Sequence, residues 1–247
     1  MYRLSVLFSL LLLMSSSSLS YAQNLNDNFY ALDENWKGTT LDKAKYIARE
    51  IKINDTCYRW DSYNAYGPLI RSESFKDKKG TLLHGKFAYY DSLGRADSIG
   101  YYSNGLQDGT WYFFNEKGKI IIKKEYEKGA LISVDEVWKE VAPKENQNDE
   151  KESEYPGGAP AWQRYLNRNL RYPQRAINIK KEGMVAVVFV VNTDGQTDDF
   201  TILKSVELSL DDESLRVIKN SKMWVPAVQN GKNVKSYKVQ PIGYRLQ

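Results

Sequence analysis

The period of hydrophobic and polar positions changes several times along the chain. Behind Arg3, residues 4–14 (LSVLFSLLLLM) form one apolar run, which Ser15 to Ser18 ends before Ser20-Tyr21-Ala22. From about residue 58 to 131, short stretches of alternating aromatic and polar residues are punctuated by glycines, the period-two pattern of half-buried strands. Residues 139–154 (KEVAPKENQNDEKESE) carry no aromatic and too little apolar surface to fold, so they read as a flexible linker. Past that point Trp162, Tyr165, Leu166 and Leu170 fall on one face of a helix over residues 159–170, and Arg171-Tyr172-Pro173 breaks it. A short helical turn over 174–180 precedes a strand at 183–191 (GMVAVVFVV) and a turn at Asn192–Gly195. The partner strand follows at 197–204, then a helix that Ser209 can cap, with Leu210, Leu215, Val217, Ile218 and Met223 as its apolar contacts. A loop from Trp224 leads to a last strand at 234–246, where Pro241 marks a bend or a sheet edge.

The glycine-punctuated stretch repeats. A shift of 24 residues maps Gly85 onto Gly109, Phe87 onto Trp111, Tyr89 onto Phe113, Gly94 onto Gly118, Tyr102 onto Tyr126 and Gly105 onto Gly129. Each unit is two strands and two tight turns, with glycine supplying the positive φ the turns require. A degenerate unit covers about 58–80. The aromatics Phe87, Tyr89, Tyr102, Trp111, Phe113 and Tyr126 either stack on neighbouring units, which cannot each bury a face alone, or form a face that binds peptide or glycan. The segment Tyr102-Ser-Asn-Gly105-Leu-Gln-Asp-Gly109-Thr-Trp111-Tyr112 resembles the MORN repeat, which implies an elongated hairpin sheet used for contact rather than catalysis.

The expected organisation is a signal peptide (1–22), a lead-in (23–57), hairpin repeats (58–138), the linker (139–154) and an α+β domain (155–247). The apolar run is about half of the ~20 residues a spanning helix needs, and small residues precede a cut after Ala22. Export to the periplasm follows, with an uncleaved inner-membrane anchor as the alternative. In an oxidising compartment the single cysteine, Cys57, is expected to be buried and structural. With one cysteine and one histidine, His84, the chain has neither a disulfide framework nor the ligands of a His- or Cys-based metal centre. His84 is expected in a solvated turn. Against 31 acidic residues stand 35 Lys and Arg, a net +4 that does not suggest nucleic-acid binding. No nucleophile elbow, phosphate-cradling glycine loop or framed pair of acids occurs, so neither a catalytic site nor a cofactor site is expected.

The order Tyr155-Pro-Gly-Gly158, Tyr172-Pro173, Asp194-Gly195, Leu210-Asp211, Trp224-x-Pro226-Ala227, Gly231-Lys232 and Pro241-Ile242 resembles the TonB C-terminal domain, most closely its Bacteroidetes-type version. The resemblance covers 155–247. It implies a fold of helix, hairpin, helix and strand, and a partner: the extended TonB-box peptide of an outer-membrane TonB-dependent receptor, added as a strand beside 234–246. Carried over by position, the partner-binding residues are Arg171, Tyr172 and Pro173, with Val234, Ser236, Tyr237, Val239, Ile242 and Tyr244 along the strand. Strand addition uses an open sheet edge, which also invites a homodimer. If residues 1–22 are retained, inner-membrane motor proteins become partners as well. The alternative function is an envelope scaffold in which repeats and C-terminal domain make protein or peptidoglycan contacts without transport.

Overall fold

The computed structural model describes residues 27–137, 150–221 and 223–246. The expected signal peptide and residues 139–149 of the expected linker lie outside them. The described residues divide into two units, one built on the first nine strands and one on the C-terminal part of the chain.

The first unit is a nine-stranded antiparallel meander in sequential order. Its strands are β1 (Asn28–Leu32), β2 (Tyr46–Asn54), β3 (Cys57–Asn64), β4 (Leu69–Phe75), β5 (Leu83–Tyr90), β6 (Ala96–Ser103), β7 (Leu106–Phe114), β8 (Ile120–Glu127) and β9 (Ala130–Glu136). The sheet thus begins at Asn28, inside the segment that the sequence presents as a lead-in. The 24-residue period is structural. Asn104-Gly105 and Lys128-Gly129 both have two successive positive φ values (50° and 86°, 48° and 87°), the type I′ geometry that matches strand twist. His84 is half-buried in β5 rather than in a turn, and its Nδ1 accepts the Asn104 N–H at 3.4 Å. One period later, Asp108 Oδ1 accepts the Lys128 N–H at 3.2 Å, the same support from a different side chain.

One face of this sheet carries an unbroken aromatic row. Phe75, Phe87, Tyr102, Trp111 and Tyr126 meet edge to face at 6.0, 4.5, 5.3 and 6.4 Å between successive ring centroids. Phe87 is fully withdrawn from solvent and Trp111 nearly so, and Trp111 Nε1 donates to the Tyr101 carbonyl. Tyr89 packs on Phe87, and its hydroxyl is pushed well up by burial, the Glu73 carboxylate adding to the effect. The Lys124 ammonium lies over Phe113 at 4.9 Å. The row therefore serves chiefly as the sheet's own core. Cys57, expected to be buried, is half-exposed at the start of β3, because it sits at a hairpin end rather than mid-strand.

The second unit packs helices on a three-stranded sheet of order β11-β10-β12, where β10 is Gly183–Val191, β11 is Thr197–Lys204 and the chain-terminal strand β12 is Ser236–Tyr244. The helices are α1 (Gly158–Asn169), α2 (Gln174–Asn178) and α3 (Leu208–Lys219), and a two-stranded ribbon (Ala227–Gln229 with Lys232–Val234) completes the unit. Val185, Val187 and Phe189 from β10 meet Leu210, Val217 and Ile218 from α3 and Ile242 from β12 in a solvent-free core. Trp224 bridges Phe189 (4.9 Å) and Tyr155 (5.7 Å), so the Tyr-Pro-Gly-Gly lead-in is pinned to the core. A side chain at Gly195 would put Cβ 2.3 Å from the Trp224 carbonyl, so the hairpin turn must be glycine to dock there. The cap of α3 differs from expectation. Glu207, not Ser209, is the N-cap, accepting from the Ser209 and Leu210 N–H groups, and Arg175 neutralises it at 3.0 Å. Residues 150–154, part of the expected linker, run against the ribbon and the segment before it: Lys151 bridges Val228 of the ribbon, Glu154 bridges Val225, and Ser153 is buried. Composition does not reveal this, since the bonds are made by backbone.

Candidate functional site

The site is built on the last strand. β12 pairs antiparallel with β10 from Ser236↔Val191 to Tyr244↔Gly183, and no described strand pairs with its other side. Side chains alternate across it. Tyr237 (65% exposed) and Val239 (49%) face outward, whereas Ile242 and Tyr244 are buried. Ile242 and Tyr244 therefore cannot offer side chains to a partner, contrary to the expectation, because the strand's period of two turns them into the core. Tyr244 Oη lies 2.9 Å from Ser214 Oγ, and burial pushes its hydroxyl well above the ordinary value. Val234 is not on this strand at all. It ends the ribbon, paired with Ala227.

Pro241 decides which main-chain groups are free. It has no N–H, so the positions that exchange both bonds with β10 are its neighbours Gln240 and Ile242. Val239, Pro241 and Gly243 then turn their main-chain groups to the side with which no described strand pairs. The Gln240 Nε2 donating to the Pro241 carbonyl at 3.4 Å agrees with that direction. Beside this edge runs a groove of about 310 Å³, walled by Gln163, Leu166, Asn167 and Leu170 of α1 and by Pro241, Ile242 and Gly243.

The Arg171-Tyr172-Pro173 element leads from α1 into α2. The Arg171 main-chain N–H donates to Glu213 Oε1 at 2.7 Å, and its side chain is exposed. Glu213 also holds Arg216, which reaches the Asn169 carbonyl at 2.7 Å, so the end of α1 is clamped to α3. Tyr172 donates to the Lys181 carbonyl at 2.6 Å and rests edge-on against Tyr244 at 5.5 Å. Burial raises its hydroxyl, and the Glu182 and Glu207 carboxylates add to the rise. Tyr172 thus props the final strand from beneath, while Pro173 is the N-cap of α2.

Sequence reasoning missed Gln163 and Asn167. The helical pattern drew attention to the apolar stripe of α1, but these two amides flank it four residues apart and are hydrogen-bonded (Gln163 Nε2 to Asn167 Oδ1, 3.0 Å). An i,i+4 amide pair bordering the stripe is the signal that was available. Among the described residues, no group of three or more His, Cys, Asp or Glu is gathered that could hold a metal ion, and no helix is long and apolar enough to cross a membrane.

Residues 168–246 match the family model of the Gram-negative bacterial TonB protein C-terminal. An NMR structure of the Helicobacter pylori TonB C-terminal domain is 28% identical over 37% of this chain and 87% of that chain, with a TM-score of 0.29. No curated protein sequence matches the chain.

Proposed function

We propose, from a C-terminal domain of the TonB family, that this protein works in the periplasm by capturing the extended TonB-box segment of outer-membrane TonB-dependent receptors as an added strand. The observation that carries the reading is the unpaired edge of β12, opening beside a groove walled by α1. Main-chain bonds along such an edge give affinity, and alternate side chains give selectivity. Tyr237 and Val239 flank the incoming strand on the outer face. The domain acts as an interaction module, not as an enzyme. Residues 1–22 address the chain to the envelope, and the intact mass of the envelope-extracted protein reports whether they are cleaved. Their retention would add an inner-membrane tether and contact with motor proteins.

Titration calorimetry of the full chain with peptides from receptor N-terminal segments tests the reading. Val239→Pro removes one outward N–H without touching the ladder to β10, so binding should fall by about fivefold or more. An unchanged affinity, or no binding across the panel, refutes strand addition.

A scaffold role is favoured by one feature of the first unit. Its last strand, β9, exposes Leu131 (51%), Ile132 (61%) and Val134 (49%) at an end of the sheet, an apolar edge suited to another protein. Co-sedimentation of the chain with cell-envelope fractions, reduced by Ile132→Lys, would support it. The β12 edge is also the route by which two copies would form a homodimer, which sedimentation equilibrium reads directly.

A further inference from the structure

Strand addition at β12 meets a defect that the strand itself creates. Along the side with which no described strand pairs, the acceptors run on at Val239, Pro241 and Gly243, but Pro241 interrupts the donors between Val239 and Gly243. An incoming strand therefore presents one carbonyl opposite Pro241 for which β12 has no N–H. A carbonyl that is withdrawn from water in a groove without gaining a donor costs more than the bond would have contributed.

The other wall of the groove holds the remedy at that level. Gln163, Leu166, Asn167 and Leu170 face the stretch Pro241–Gly243 and not the earlier part of β12. Asn167 accepts from Gln163 Nε2 through Oδ1, so its Nδ2 protons remain to be offered outward. Both amides are exposed, and they are hydrogen-bonded to one another at 3.0 Å.

We propose that the α1 amide pair Gln163–Asn167 is a specificity-determining element of the peptide site, Asn167 Nδ2 supplying the hydrogen bond that Pro241 cannot. The inference rests on the strand-addition reading and adds its ligand chemistry. The occupant is an extended peptide whose main chain, at the residue opposite Pro241, is held from α1 rather than from the sheet. Its inward side chain enters the groove of about 310 Å³ beside Pro241–Gly243 and is small.

The test is a double-mutant cycle on the full chain, using a labelled receptor N-terminal peptide and fluorescence anisotropy. Asn167→Leu, and the isosteric Asn167→Asp that offers only acceptors, should weaken binding about three- to tenfold. Pro241→Val, or Pro241→Gly should the valine not be accommodated, restores the N–H. In that background the same Asn167 variants should change affinity less than about twofold. Equal losses in both backgrounds, or no loss in either, overturn the inference while leaving strand addition standing. Failure of the unaltered chain and the Pro241 variants to bind any peptide refutes strand addition, and this inference falls with it. Unchanged thermal midpoints for the Asn167 variants separate a binding effect from a folding one.

Discussion

Gly100 gives the sharpest prediction for the repeat sheet. It sits in β6 opposite Phe87, and the indole of Trp111 lies directly on it: a Cβ placed there would be 2.1 Å from Cδ2 and 2.3 Å from Cε2. Carbon atoms in contact stand about 3.5–4.0 Å apart, so Gly100→Ala must push the ring away by about 1.5 Å. The ring has little room to yield, being 3% exposed, hydrogen-bonded to the Tyr101 carbonyl at 3.1 Å and packed on Tyr102. Overpacking costs about 1–3 kcal/mol, and a stretched or broken buried N–H bond about 1–3 more, so a loss near 3 kcal/mol is expected. Equilibrium urea unfolding followed by far-UV circular dichroism measures it. Because the penalty arises from one contact, Gly100→Ala combined with Trp111→Leu should fall short of the sum of the single losses by about 1 kcal/mol or more. A Gly100→Ala variant within about 0.5 kcal/mol of the parent, or strict additivity in the pair, would refute the packing argument.

Three further predictions concern groups away from that contact. Arg175→Met strands the buried Glu207 carboxylate and should cost about 3–5 kcal/mol in urea unfolding, far more than an exposed ion pair. Burial holds the Asp211 carboxyl well above its ordinary value, against donation from Ser205 and the Val206 N–H. The folded state then binds that proton more tightly than the unfolded chain does. Its stabilising contribution is whole below the ordinary value of 3.8 and is lost as pH rises toward the raised value, so Tm should fall with rising pH more steeply in the parent than in Asp211→Asn. Partial burial raises the Cys57 thiol, so alkylation by iodoacetamide at pH 8 should be slower than in the urea-unfolded chain.

Legibility in the sequence followed the range of the interactions. Turn glycines and aromatic spacing encode hairpins locally, and the 24-residue period reappears intact from Gly85 to Gly129. The β1–β2 hairpin was missed because Tyr46–Asn54 (YIAREIKIN) carries no matching glycine pattern, and its place in the sheet comes from pairing with β3. In the C-terminal unit the order of elements was readable, including a long final strand, which spans Ser236–Tyr244 rather than 234–246. Its side-chain assignments were not, since Ile242 and Tyr244 are as apolar as Val239 but fall on the opposite face. Glu207 as a helix cap was hidden too, because its burial depends on Arg175, 32 positions earlier.

The sequence by itself determined the local elements, the hairpin period, the division into two units and the likeness to the TonB C-terminal domain, because turn conformation and hydrophobic period are set within a few neighbouring residues. Only the tertiary structure decided that no described strand pairs with the outer side of β12, that Pro241 stands on that strand opposite Ala186, and that Gln163 and Asn167 of α1 line a groove with Pro241–Gly243. Those facts arise from backbone directions and from residues more than seventy positions apart, which no local pattern records.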